Sequence, residues 1–156
     1  EFSQLFAFTC MANIFTPEML VETLSHPDTP LLEPDRAEGF LRGNPGKVWE
    51  VYYGKGHYAV SLLDSGLCSV FARSAQVDSV QSGFELLVSK APSPLESKKI
   101  TGSKAGPNDS DLTSTAFVWS RPGENLDIVF TLTTSKSAID PPVQAMASVA
   151  LSKSEP

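Results

Sequence analysis

A chain of 156 residues is long enough for one domain that buries roughly two thirds of the surface its unfolded form exposes, so no metal is required for folding. With 18 acidic against 12 basic residues the formal charge is −6, which leaves no counterion-releasing surface for a phosphate backbone and excludes nucleic acid as an expected partner. The longest apolar runs, such as Leu5 to Phe8 and Ala145 to Leu151, fall well short of the ~20 residues that span a bilayer, so no membrane insertion is expected.

The chain starts at Glu1-Phe2 without a methionine, as expected where a signal peptide has been removed or a short cloning remnant retained. Leu5, Phe6, Phe8 and Met11 suit a first short helix carrying Cys10, with a strand as the alternative. Thr16-Pro17-Glu18 is a helix start: Thr16 is a capping residue, Pro17 loses nothing at the first position and Glu18 faces the positive end of the dipole. The helix runs from Pro17 to about Leu24 with Met19, Leu20 and Leu24 as its apolar side, and Ser25-His26-Pro27 ends it.

From Pro27 to Gly46 repeated Pro, Asp and Gly predict a loop-rich connection with one helical turn at Arg36 to Leu41, anchored by Leu31, Leu32, Phe40 and Leu41. Val48 to Tyr53 and Tyr58 to Leu63 read as strands around the turn Gly54-Lys55-Gly56-His57, and Leu67 to Arg73 as a third strand entered through Asp64-Ser65-Gly66. Between Ser74 and Lys90 the spacing of Val77, Val80, Phe84 and Leu87 is that of one side of a helix. Gly83 weakens that helix by about 1 kcal/mol relative to alanine, which predicts a close backbone contact there.

Residues 89–111 are rich in Ser, Lys, Pro and Gly, strand-like at most around Lys98 to Thr101, and are expected to form an exposed, mobile loop. Leu112 to Ser120 and Leu126 to Thr134 are strands joined by the tight turn Arg121-Pro122-Gly123-Glu124. In the second, Leu126, Ile128, Phe130 and Leu132 alternate with Asp127, Thr131 and Thr133, the pattern of an antiparallel sheet wet on one face. Val143 to Leu151 is a last strand, with Val143, Ala145, Ala147, Val149 and Leu151 pointing one way, before a flexible polar tail at 152–156.

The order of helices, three strands, a helix, then three or four strands gives a single α+β domain: an antiparallel sheet of about six strands with helices packed on one face. Profilin-like and PAS-like sheets share this rhythm, an analogy of shape that carries little functional weight.

Cys10 and Cys68 are the only cysteines. Joined, they tie the N-terminal helical segment to the third strand and imply an oxidising compartment; the alternative is two buried free thiols, which act as small apolar residues in reduced cytosol. Two isolated Cys and two isolated His lack zinc-ligand spacing, so neither metal nor cofactor is expected. His26, at a helix end before a proline, reads as a solvated residue. His57 lies between Tyr53 and Tyr58 in a turn where Lys55 and backbone N–H groups are placed to meet an anion, although the segment lacks the rest of a P-loop and a plain turn is favoured.

A hydrolase would need a serine to recruit one of these histidines, and no G-x-S-x-G elbow occurs. Asp35 with Glu38, or Glu22 with Glu33, pair on paper as acid and base but read as solvated charge. What remains is binding: Trp49, Tyr53, Tyr58 and Trp119 are amphipathic aromatics of the interface type, with the alternative that both tryptophans fill the core, and the tip from Lys55 to His57 projects past the sheet.

Phe8-Thr9-Cys10, Gly46-Lys47-Val48-Trp49, Gly66-Leu67-Cys68-Ser69-Val70 and Phe117-Val118-Trp119 together resemble small exported proteins of Gram-negative bacteria. The resemblance is loose and spans the chain; it implies a periplasmic or secreted location and two cysteines that pair, and supplies no catalytic motif. The expectation is therefore a non-enzymatic exported protein that binds another protein, as an immunity-type antagonist of a basic secreted toxin or enzyme would. A small-ligand or sensor module with a pocket between helix and sheet is the alternative, and a hydrolase with an unrecognised site the second.

Overall fold

The computed structural model of the chain describes residues 1–104, 112–135 and 144–153. Helix α1 (Phe2–Phe6) runs directly into a π-helical turn (Ala7–Met11), followed by α2 (Pro17–Leu24) and α3 (Pro34–Leu41). Strands β1 (Gly46–Tyr53), β2 (Gly56–Leu63) and β3 (Cys68–Ala72) precede α4 (Val77–Val88), and β4 (Glu96–Lys104), β5 (Leu112–Ser120), β6 (Leu126–Ser135) and β7 (Ala145–Lys153) complete the order. The class is α+β, as expected, and the sheet is antiparallel throughout, with the order β1-β2-β3-β7-β6-β5-β4.

That order follows from two meanders laid side by side. Pairing of β3 with β7, Val70 opposite Ala147 and Cys68 opposite Val149, joins them at the centre. The chain leaves β3 in mid-sheet and re-enters at the far edge as β4, so α4 must lie across the sheet between them. Its spacing of Val80, Phe84 and Val88 buries that side on Phe117, Trp119 and Phe130. Two contacts fix the helix: the Trp119 indole N–H donates to the Val88 carbonyl at 2.7 Å, and Phe84 packs edge-on against Phe117 at 6.1 Å.

Helix α1 lies against α4 and β3, with Phe6 beside Phe84 and a disulfide joining Cys10 to Cys68, whose Cα atoms are 5.4 Å apart. The expected close contact at Gly83 is with this helix, because a Cβ there would fall 2.5 Å from the Ser3 hydroxyl. Helix α2 spans the expected residues, but Thr16 makes no side-chain cap bond, and Leu20 and Leu24 are buried while Met19 is exposed.

Two findings depart from the sequence reading. The sheet has seven strands rather than about six, because β4 pairs with β5 over Glu96–Lys104, well beyond Lys98 to Thr101. This edge strand lacks apolar alternation and carries the adjacent exposed lysines Lys98 and Lys99, charged residues of the kind that protect an open edge. The second departure is that the helices do not share one face. Leu32 and Ala37, with Phe40 and Leu41, pack on Val48, Ala59 and Phe71, which alternate with the residues beneath α1 and α4, so α3 covers the opposite face. The loop expected at 89–111 and the tail expected at 152–156 are corrected in part, since β4 takes Glu96–Lys104 and β7 continues through Ser152 and Lys153; the expectations for 105–111, Val143 and 154–156 lie outside the described residues.

Candidate functional site

The β1–β2 hairpin forms one edge of the sheet, and its turn sets which side chains meet. Tyr53 pairs with Gly56, leaving a two-residue turn of Gly54 and Lys55, with Gly54 at φ +58° in the first central position, where a type II′ turn needs positive φ. This register places Tyr52 directly opposite His57 and Glu50 opposite Ala59 on the face that carries α3. Tyr53 and Tyr58 consequently lie on the face that carries α1.

On the α3 face, the rings of Tyr52 and His57 stack with centroids 4.3 Å apart and planes 6° from parallel. Both are tied to one carboxylate: the Tyr52 hydroxyl donates to Glu50 Oε1 at 3.0 Å, and His57 Nε2 lies 2.8 Å from the same oxygen. Arg36 Nη2, from α3, stands 3.8 Å from Glu50 Oε2. The Glu50 side chain is only 17% exposed, whereas Tyr52 is 66% exposed, so a half-sheltered charge holds two open rings in one arrangement. The hydrogen bond to Glu50, and then the field of its charge, raises the Tyr52 phenol above its ordinary pKa, because a phenolate there would sit against a carboxylate.

On the opposite face the carboxylate of Glu1 reaches the turn. Its Oε1 accepts from the Lys55 backbone N–H at 3.0 Å, and its Oε2 accepts from the Tyr58 hydroxyl at 3.2 Å. The Lys55 amide, as the largest influence, holds the Glu1 carboxyl below the ordinary carboxylate range. Phe2 packs on Tyr58, and the exposed Phe8 meets Tyr53 edge-on at 6.4 Å.

Of the six residues that the sequence singles out for binding, three are presented to solvent: Lys55 and His57 are exposed and Tyr53 is half-buried. Trp49, Trp119 and Tyr58 are corrected to core residues, each less than a tenth exposed. Their amphipathic character serves the interior instead: Trp119 uses its N–H on the end of α4, and Tyr58 directs its hydroxyl to the rim where Glu1 receives it. Glu50, Tyr52, Arg36 and Glu1 were not singled out. A two-residue turn would have paired Tyr52 with His57 by counting, but nothing local announces Arg36 or Glu1, which arrive from distant segments.

His57 therefore does meet a carboxylate, on an open hairpin face. Two clefts of about 330 and 290 Å³ flank Val21 and Lys47 elsewhere, between α2 and the β1–β2 edge, and neither is lined by His57. The interval between α4 and the sheet, where the alternative small-ligand or sensor reading would need a pocket, is packed with Val80, Phe84, Val88, Phe117 and Trp119. Asp35 and Glu38 are exposed on α3, and His26 is exposed beyond α2 with Nδ1 accepting from the Asp28 amide at 3.2 Å. Among the described residues no group of three or more His, Cys, Asp or Glu is placed to hold a metal ion, and no helix is long and apolar enough to cross a membrane. No protein-family model, curated protein or solved structure matches the chain.

Proposed function

We propose that the protein is a non-enzymatic, exported recognition module that binds another protein through the Tyr52–His57 face of the β1–β2 hairpin. One observation carries this reading: two exposed rings are stacked and pinned by Glu50 before any partner arrives. Tyrosine held in this way offers large amphipathic contact area with little rotamer entropy left to lose, and association favours such pre-organised anchors. Export is supported by the Cys10–Cys68 disulfide, since such bonds persist in oxidising compartments, and the periplasm or the exterior is the proposed location. The net charge of −6 favours a basic partner by long-range attraction, which fits an antagonist that occludes a secreted toxin or enzyme.

The test is quantitative capture from an envelope fraction by the wild-type chain and by a Tyr52→Ala/His57→Ala variant. One protein retained by the wild type in stoichiometric amount, and reduced at least tenfold on the variant, is the expected result. Equal retention by both, or a metabolite bound on native mass spectrometry with no protein, would remove the reading.

A further inference from the structure

The turn of the β1–β2 hairpin has the parts of an anion cradle, and a carboxylate already lies in it. Oxygen Oε1 of Glu1 is held by the Lys55 backbone N–H at 3.0 Å and Oε2 by the Tyr58 hydroxyl at 3.2 Å, a two-point grip on one carboxylate. The ammonium of Lys55 supplies a favourable field at the same place. The backbone is shaped to allow the approach: a Cβ on Gly54 would fall 2.6 Å from Glu1 Oε1, and one on Gly56 would collide with the Tyr58 hydroxyl. A bulkier turn would close the space that the carboxylate and its donor occupy.

We propose that this turn is a carboxylate-binding site of which Glu1 is the resident occupant, and that its ligand is a carboxylate carrying an apolar or aromatic body. The chemistry of the donors selects the class. An amide N–H and a phenol O–H donate, and the nearby Lys55 charge favours an anion, so the ligand must accept at two oxygens and carry negative charge. The body is selected by the neighbours, since the half-buried Tyr53 beside the turn and the exposed Phe8 against it form an aromatic border. Glu1 competes as a tethered group at high effective concentration, so an external carboxylate enters fully only when that residue is withdrawn. The site is independent of the proposed protein-binding face, because Tyr58 and Tyr52 lie on opposite sides of the sheet.

The test follows the Lys55 backbone amide by NMR during titration of the whole chain with benzoate, acetate and benzamide, in the wild type and in a Glu1→Ala variant. In Glu1→Ala, benzoate is expected to move the Lys55 amide saturably, acetate more weakly and benzamide not at all. The wild type should need at least about tenfold more benzoate. A Glu1→Ala/Tyr58→Phe variant, which removes only the second donor, should weaken benzoate at least threefold with the other hairpin signals unchanged. A Lys55 amide that does not respond to benzoate in Glu1→Ala, or responds equally to benzamide, would overturn the proposal. Should benzoate instead perturb Tyr52 and His57, the carboxylate belongs to the other face and the proposal fails while the protein-binding reading stands.

Discussion

At the scale of single residues, Glu50 decides the chemistry of the hairpin. Its carboxylate takes the Tyr52 hydroxyl and His57 Nε2 on one oxygen, so the two rings are stacked by a shared acceptor as well as by contact. Replacing it by glutamine keeps the shape and removes the charge, and the Tyr52 phenol should then titrate closer to its ordinary value. Following the Tyr52 ring signals with pH checks this, and an unchanged midpoint in Glu50→Gln would contradict the assignment. The sign follows from linkage: the folded state holds the Tyr52 proton more tightly than the unfolded chain does. The contact's contribution is therefore complete below about pH 10 and is lost as pH rises through the folded pKa. Glu1 runs the other way: its lowered pKa makes its contribution present above the ordinary carboxylate value, to be lost as pH falls through the folded one.

At the scale of elements, the disulfide and the crossing helix hold the N-terminal segment in place. Cys10 lies in the π-helical turn and Cys68 opens the interior strand β3, so the bond closes a loop with a sequence separation of 58. In the chain-entropy model a closure of that length contributes roughly 4 kcal/mol. A Cys10→Ala/Cys68→Ala variant should lose stability on that order in urea unfolding; a loss below about 1 kcal/mol would show that helix packing alone secures the segment. Elements were also where the sequence was most readable. The Pro17-Glu18 start, the 3.6-residue spacing of Val80 and Phe84, and the alternation from Leu126 to Leu132 each express a local rule, and each element formed as expected. Strand β4 escaped because its pattern is set by the edge it occupies: Lys99 extends over Phe117 and pairs with Glu85, so a charged residue performs a covering role.

At the scale of the whole molecule, the order of elements fixed the class, but the face taken by α3 and the joining of β3 to β7 depend on contacts between distant segments. The same limit applied to the site. His57, Lys55 and Tyr53 were found from a turn signal, whereas Trp49 and Trp119 were drawn into the interior, because aromatic residues serve cores and interfaces by the same physics and only burial separates them. The molecule that results is a stapled sheet with one edge hairpin carrying a charge-pinned ring pair on one face and an occupied anion cradle on the other. The proposed role of this hairpin requires that its Tyr52–His57 face meet a protein. A photo-reactive amino acid placed at position 52 in cells that make the protein, with the exposed Glu124 position as control, tests it most directly. One adduct of defined mass from position 52 and none from 124 is expected; no adduct, or the same adducts from both positions, would rule out the proposed contact.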